Sequence, residues 1–200
     1  KGMITMKIIG LTGGIASGKS TVSAYLKSKN IPVIDADVES KKVLDPGSAA
    51  YYDIIREFSD SVLNDDKTVN RKKLAEIVFR DKNLVEKLNS IIHPRVIEQT
   101  KKILAELEEK NTPIAVIDAP LLIEAGMQTI TDEVWVVYTP PETQIDRAMV
   151  RDNSTKEQVM NKMKNQTSFE EKVKYADYVI SNDGTLEQLY AQVDKILDKK

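Results

Sequence analysis

The sequence predicts an α/β fold in which five parallel strands form one sheet flanked by helices. Short, continuously apolar segments alternate with stretches of helical spacing along the chain. Strands of this kind are typical of parallel sheets, because the helical crossovers between parallel strands cover both faces of the sheet. Two longer stretches without a strand interrupt the alternation, and we interpret them as insertions in this one fold.

Each predicted strand is a short apolar segment: Lys7–Leu11, Pro32–Asp35, Pro113–Asp118, Asp132–Tyr138 and Asp177–Ser181. After the first strand, the apolar residues have helical spacing, which predicts a helix over Ser20–Asn30. After the last strand, the same spacing predicts a closing helix over Thr185–Asp198, with Thr185 as its N-cap.

The first insertion, Val38–Thr112, has helical spacing almost throughout and is too long for a simple crossover. It is predicted to be a helical subdomain with these apolar faces: Leu74, Ile77, Val78, Leu88, Ile91 and Ile92. Within it, Pro94 is predicted to open a further helix. The second insertion, Pro141–Tyr175, is polar and carries many basic side chains, among them Arg147, Arg151, Lys162 and Lys172.

The composition is that of a globular protein. Of the 200 residues, 41% are hydrophobic and 30% are charged, which excludes a disordered chain, a collagen-like chain and a coiled-coil rod. The 29 basic and 31 acidic residues give a net charge of −2, so charge gives no reason to expect a nucleic acid or a membrane surface as partner. The chain has no cysteine and one histidine, His93, which excludes disulfides, a thiolate nucleophile and zinc sites built on sulfur or several histidines.

The sequence carries no recognisable targeting signal. No apolar run approaches the ~20 residues that cross a bilayer, and the N-terminus lacks the basic, apolar and small-residue regions of a signal peptide. We therefore expect a cytoplasmic protein that is a monomer or a weak homo-oligomer. Residues 1–5 are expected to form an irregular leader before the first strand.

A phosphate-binding loop is predicted between the first strand and the first helix. Residues Gly13 to Ser20 have the sequence Gly-Gly-Ile-Ala-Ser-Gly-Lys-Ser. This sequence matches the motif in which a glycine is followed by any four residues and then by Gly-Lys-Ser or Gly-Lys-Thr. The glycines permit a tight turn against phosphate. Consecutive N–H groups at the helix N-terminus can then donate hydrogen bonds to the negatively charged phosphate oxygens. Lys19 can reach the β- and γ-phosphates, and the Ser20 hydroxyl can bind Mg²⁺. The sheet is therefore predicted to be of the P-loop NTPase type.

The loop indicates a nucleoside triphosphate but does not indicate what receives its phosphate. A GTPase switch normally carries Asn-Lys-x-Asp, and the nearest string, Asn161–Lys164, lacks the aspartate. The Asp-x-x-Gly expected after the third strand is also missing, because the chain reads Asp118-Ala119-Pro120-Leu121. A small kinase needs a carboxylate near the transferred phosphate, an acceptor pocket and cations that close over the phosphates. The sequence offers candidates for all three.

The candidate carboxylates follow two strands, at the edge where open parallel sheets bind ligands. Asp35 or Asp37 could orient or deprotonate an acceptor hydroxyl, and either could instead cap the helix that begins near Val38. Alternate residues of an extended segment point in opposite directions, and we assign the cap to Asp35 and the chemistry to Asp37. Asp118 ends the third strand, where it could hold the Mg²⁺ shell or belong to an ordinary turn.

Arg147 and Arg151 are the candidate cations. They are four residues apart in the polar insertion and would share a helix face. This spacing fits a lid that clamps polyphosphate and neutralises charge in the transition state. The alternative is a solvated helix in which Asp146 and Asp152 are local partners.

A set of further motifs accompanies the phosphate loop. In chain order they are Ile9–Thr12, Pro32–Asp37, Asn70–Leu74, Ile77–Phe79, His93-Pro94, Asp118–Glu124, Val136–Tyr138, Arg147, Arg151-Asp152, Gln166, Ala176–Ile180 and Asn182. With these motifs the sequence resembles the dephospho-CoA kinase family over Met6–Leu197, nearly the whole chain. The combination is much more specific than the phosphate loop alone.

The resemblance implies an ATP-dependent phosphotransferase. It would move the γ-phosphate of MgATP to the 3′-hydroxyl of the ribose of dephospho-CoA, giving CoA and ADP in the last step of coenzyme A biosynthesis. ATP and dephospho-CoA would be the partners and Mg²⁺ the cofactor. The resemblance also implies a nucleotide-binding core (residues 1–37, 113–140 and 176–200), a helical acceptor subdomain (38–112) and a lid (141–175).

The same resemblance implies roles for single residues. Asp37 would activate the acceptor, and the other catalytic residues would be Lys19, Arg147 and Arg151. The metal ligands would be Ser20 and, directly or through water, Asp118. Arg71 and His93 would bind the acceptor together with Asp37. The ATP-binding residues would be Gly13, Gly14, Ile15, Ala16, Ser17, Gly18, Lys19, Ser20, Thr21 and Asn182, the last of which lies where the family contacts adenine.

Three positions depart from the family pattern. Lys162 stands where many members have a lid arginine, and a lysine cannot make the same forked contact with phosphate. Ile123 replaces a commoner phenylalanine, and Ala16 stands where glycine is frequent but alanine is also common. From the residues alone two other functions stay open. One is a nucleoside or nucleotide kinase with a different acceptor, and the other is a nucleotide-dependent switch or binding module, against which the missing base-recognition motif argues.

Overall fold

The computed structural model describes residues 5–199, so all of the expected leader except Thr5 lies outside the described residues. By its internal contacts the chain divides into two compact units. One unit, here called the sheet unit, contains the residues up to Ile34 and from Leu107 onward. The other, here called the helical unit, is Asp35–Glu106.

The sheet has five strands in the order β2-β3-β1-β4-β5. The strands are β1 Lys7–Gly13, β2 Val33–Asp35, β3 Ile114–Asp118, β4 Glu133–Tyr138 and β5 Tyr178–Ser181. β1 pairs in parallel with both β3 and β4, and β4 pairs in parallel with β5. The five predicted strands are confirmed. Because parallel strands end at the same edge, the residues after β1, β3 and β5 meet there.

The helices of the sheet unit follow the predicted alternation. They are α1 Lys19–Ser28, α6 Pro141–Asp152, α7 Lys156–Lys164, α8 Phe169–Val173 and α9 Leu186–Leu197. The Thr185 side chain accepts a hydrogen bond from the backbone N–H of Gln188, which confirms the predicted N-cap of α9. Buried apolar side chains from the strands, α1 and α9 form one core: Ile9, Leu11, Val22, Leu26, Val116, Trp135, Val137, Ile180, Leu189, Val193 and Ile196.

The helical unit has its own core. Its helices are α2 Ala36–Lys42, α3 Ala49–Phe58, α4 Arg71–Val78 and most of α5 Lys82–Glu109. The predicted apolar faces are confirmed, because Leu74, Val78 and Ile91 are buried, and Ile77, Leu88 and Ile92 pack against the same core. Among residues 5–199, no helix combines the length and the apolar character needed to cross a membrane.

Pro94 does not open a helix, and that prediction is wrong. It lies inside α5, a single helix of 28 residues. Proline removes one backbone donor from a helix and crowds the preceding turn. In that turn the Arg95 guanidinium donates a hydrogen bond of 2.9 Å to the Ile91 carbonyl, and Ile91 and Val96 on either side of Pro94 are buried. Packing on both sides holds the helix together across the proline, an effect that local residue preference does not predict.

Candidate active site

The phosphate loop lies between β1 and α1, as predicted, and its glycines have two reasons: a left-handed backbone at Gly18 and a close neighbour at Gly14. Gly18 has a φ of 90°, and a Cβ built there would collide with the Asn182 side-chain amide. At Gly14 a Cβ would lie 2.6 Å from Gln144 Oε1. Ala16 also has a left-handed φ, 52°, a conformation that costs an L-residue about 1–2 kcal/mol. The loop therefore stores strain at Ala16.

Two buried side chains hold the loop by hydrogen bonds to its backbone. The Thr139 hydroxyl and the Asn182 side-chain amide each donate a hydrogen bond of 2.9 Å to the Ser17 carbonyl. Both residues are buried, Thr139 after β4 and Asn182 after β5. The structure thus brings Asn182 to the loop and engages its amide there. Its contact with adenine stays a prediction.

Lys19 and Asp118 form an ion pair across the end of the sheet. Lys19 is the first residue of α1, and Asp118, the last residue of β3, is paired in register with Leu11 of β1. Both side chains are largely buried. Ser20, one residue further along α1, is exposed. Within residues 5–199, no three acidic or histidine side chains gather into a cluster that could hold a metal ion.

The two predicted lid arginines lie one turn apart in α6 but contact different partners. Arg147 donates to the Thr139 hydroxyl and the Asn182 carbonyl at 3.4 and 3.3 Å, beside the residues that hold the loop. Arg151 makes a forked contact with Asp152 at 2.7 and 3.0 Å, which lowers the pKa of that carboxyl. Arg151 therefore has the local acidic partner that the sequence offered as the alternative to phosphate.

The structure settles the role of Asp35 as a cap, whereas the chemical role of Asp37 stays a prediction. The Asp35 carboxylate accepts hydrogen bonds from the N–H groups of Asp37 and Val38 at 2.9 and 3.1 Å, so the predicted cap is confirmed. The helix begins at Ala36, so Asp37 lies in the first helical turn and is exposed. The expectation of an extended segment is wrong, because β2 ends at Asp35.

The predicted acceptor residues all belong to the helical unit. Arg71 is the exposed first residue of α4, and the Asn70 side chain caps that helix by accepting the Lys73 N–H at 3.0 Å. His93 lies in α5 and is half-buried. The phosphate loop, Asp118, the two arginines and Asn182 belong to the sheet unit.

Two glutamines of the predicted lid lie against the loop, and neither was predicted to have a role. Gln144, buried in α6, donates to the Thr139 carbonyl at 2.7 Å and turns its Oε1 towards Gly14. Gln166, after α7, accepts a hydrogen bond of 3.1 Å from the Ile15 N–H. No periodicity marks these residues, and only the family motif singles out Gln166.

Lys172 is a further residue that sequence reasoning missed, since it appeared as one basic lid side chain among many. It is almost completely buried, and its Nζ donates to the Pro120 carbonyl at 2.9 Å and to the Glu124 carboxylate at 3.2 and 3.3 Å. Glu124 also accepts the Thr167 N–H at 2.8 Å. Burial would raise the pKa of Glu124, but backbone hydrogen bonds and the charge of Lys172 hold it below its usual value.

The chain matches known dephospho-CoA kinases over nearly its full length. The family model described as dephospho-CoA kinase matches residues 7–188. A dephospho-CoA kinase of Carboxydothermus hydrogenoformans is 43% identical over 197 residues, which are 98% of this chain and 96% of that protein. A crystal structure from Thermus thermophilus matches with a TM-score of 0.83 at 32% identity, over 97% of both chains. Dephospho-CoA kinase from Campylobacter jejuni matches with a TM-score of 0.72 at 29% identity, over 96% of both chains. The chain belongs to the dephospho-CoA kinase family of ATP-dependent phosphotransferases.

Proposed function

We propose that the chain transfers the γ-phosphate of ATP to the ribose 3′-hydroxyl of dephospho-CoA, giving CoA and ADP. The observation that carries this proposal is the phosphate loop, held by Thr139 and Asn182 in a chain of this family. The loop presents consecutive N–H groups at the N-terminus of α1, which is the arrangement that binds polyphosphate.

In the proposed reaction the 3′-oxygen of the acceptor attacks the γ-phosphorus. The bond from that phosphorus to the β–γ bridging oxygen breaks, and its electron pair leaves with ADP. The hydroxyl proton passes to Asp37, which is exposed at the beginning of α2 and does not serve as the cap. Asp35 has that role, and the Asp37 carboxylate acts as the general base.

The cations have separate tasks in this proposal. Lys19, which pairs with Asp118, neutralises the phosphates at the loop. Arg147 and Arg151 act from the lid on the charge that develops during transfer. Arg151 exchanges Asp152 for phosphate, and this exchange is easy because an exposed ion pair is weak.

Mg²⁺ is proposed as the cofactor. Oxygen ligands suit this ion, which keeps much of its shell as water and phosphate oxygen. The exposed Ser20 hydroxyl and the Asp118 carboxylate fit that requirement. Ser20 would hold the ion directly, and Asp118 directly or through water. When bound, the ion would neutralise charge on the transferring phosphate.

We further propose that the helical insertion, residues 38–112, recognises the acceptor through Arg71 and His93, and that residues 141–175 act as the lid. The core would then be residues 1–37, 113–140 and 176–200. The cytoplasm is the proposed location, and a monomer or weak homo-oligomer the proposed state.

The test is ADP release with MgATP in the presence of dephospho-CoA, compared with a panel of nucleosides and nucleoside monophosphates. We expect acceleration by dephospho-CoA alone, with CoA as product. Acceleration by a nucleoside or nucleotide would keep the kinase chemistry and overturn the acceptor. ATP binding without acceleration by any acceptor would contradict the proposed transfer.

A further inference from the structure

The Gln144 side chain is linked to both ends of a turn in the phosphate loop. The turn runs from Gly14 to Ser17, and the Ser17 N–H closes it by donating to the Gly14 carbonyl at 3.2 Å. At the first end, the Gln144 amide lies directly against Gly14. At the other end, the same amide donates to the Thr139 carbonyl at 2.7 Å, and the Thr139 hydroxyl donates to the Ser17 carbonyl at 2.9 Å. One buried side chain therefore supports the whole turn.

The contact between Gln144 and Gly14 leaves no room for a side chain at residue 14. Gly14 does not have a left-handed φ, so backbone strain does not explain a glycine there. A Cβ would instead lie 2.6 Å from Gln144 Oε1, closer than real contacts come. The amide cannot turn away without cost, because only its NH2 group can donate to the Thr139 carbonyl and a buried hydrogen bond would be lost. Gln144 and Gly14 are thus matched in size.

We propose that Gln144 is a positioning residue that holds the Gly14–Ser17 turn in the shape that binds phosphate. Its amide fills the space beside residue 14 and so limits that position to glycine. Its hydrogen bond to Thr139 holds the residue whose hydroxyl binds the Ser17 carbonyl. Gln144 acts through Gly14 and Thr139 rather than through contact with ATP. The proposal rests on the proposed function only in that the loop binds the phosphates of ATP.

Two single substitutions and their combination test this match in size. In Gln144→Ala the support is lost, and we expect ATP and inorganic pyrophosphate to bind about two- to tenfold more weakly, the range of one neutral hydrogen bond. In Gly14→Ala the new Cβ pushes the turn away from the fixed amide, and we expect binding at least about fivefold weaker, the range of an overpacked contact. In the double variant the Cβ enters the space that the amide leaves. We expect it to bind at least about twofold more tightly than Gly14→Ala, because substitutions at contacting residues are not additive.

The measurements are dissociation constants for both ligands by calorimetry, and the thermal midpoint of each variant. Gln158→Ala is the matched control, because Gln158 is an exposed glutamine of α7 that accepts the Thr155 N–H at 2.9 Å, and its loss should leave both constants unchanged.

Unchanged constants in Gln144→Ala would overturn the proposal, and so would a double variant that binds no more tightly than Gly14→Ala. If Gly14→Ala does not fold, the expected rescue is a double variant that does fold, and the comparison of Gln144→Ala with Gln158→Ala still applies. An unmodified protein that binds neither ligand would instead overturn the proposed function.

Discussion

At the scale of single residues, the two neighbouring aspartates invite a direct comparison. We expect Asp37→Asn to lower kcat by about 10²-fold or more, the range of a general base, while ATP still binds. Asp35→Asn is the control, because asparagine caps a helix as well as aspartate does and should preserve α2. Steady-state kinetics with dephospho-CoA measures both variants. Near-normal turnover of Asp37→Asn would mean that another group accepts the proton.

Ala16 permits a stability test within the loop. Its φ of 52° costs an L-residue about 1–2 kcal/mol in the folded state, a cost that glycine avoids. Glycine also makes the unfolded chain more flexible, which lowers the free energy of unfolding by about 0.4–1 kcal/mol. We therefore expect Ala16→Gly to raise the thermal midpoint by up to about 4 °C, the shift that roughly 1 kcal/mol causes in a chain of this size. Ala191→Gly, at an exposed position inside α9, should lower it. A decrease in both variants would contradict strain at Ala16.

At the scale of elements, α8 and the residue that follows it carry two lysines, each paired with a glutamate, in opposite environments. The side chain of Lys172 is buried against Glu124, whereas Lys174 and its partner Glu171 are both more than half exposed. Removal of one partner of a buried pair leaves a costly unpaired charge, but an exposed pair contributes little. We expect Lys172→Met to lower the free energy of unfolding by about 3 kcal/mol and Lys174→Met to leave it nearly unchanged, as measured by denaturant unfolding.

A second substitution tests the reason for that loss. Glu124→Gln keeps an acceptor for the Thr167 N–H but removes the charge, so it should restore much of the stability lost in Lys172→Met. The pKa of Glu124 is lowered in the fold, so its charged form stabilises the fold above the unfolded pKa of about 4.3. This contribution is lost as the pH falls through the folded value. The unmodified protein and the Lys172→Met variant should therefore differ less in stability below about pH 4. Equal differences above and below that pH would contradict this account.

The elements and the site differ in how far the sequence predicts them. Continuous apolar segments identified all five strands because burial on both faces depends on local residue type. The groups that hold the phosphate loop were not predicted, because they join residues far apart in the chain. Gln166 is 151 positions from Ile15, and Asn182 is 165 positions from Ser17. Predictions from local pattern were also wrong at two places. Tertiary packing keeps the helix continuous through Pro94, and the Asp35 cap starts a helix where an extended backbone was expected for Asp37.

At the scale of the whole molecule, the division into two units gives the proposed roles a spatial test. The phosphate loop lies in the sheet unit, and Asp37, Arg71 and His93 lie in the helical unit. A ligand that binds only the folded state stabilises it by RT ln(1 + [L]/Kd). At a ligand concentration 100 times Kd, amide hydrogen exchange that requires opening of the binding unit therefore slows about 100-fold. Hydrogen exchange can therefore assign each substrate to a unit.

We expect dephospho-CoA to slow exchange in the peptides of α3, α4 and the first half of α5, and ADP to slow it in the peptides that contain the phosphate loop and α1. Each unit has its own buried core, so we expect the two sets of peptides to respond separately. Dephospho-CoA lacking its ribose 3′-hydroxyl is the matched control, since it offers the same acceptor framework but cannot receive phosphate. Protection by dephospho-CoA in the sheet unit alone would move acceptor recognition away from residues 38–112 and leave the nucleotide site unaffected.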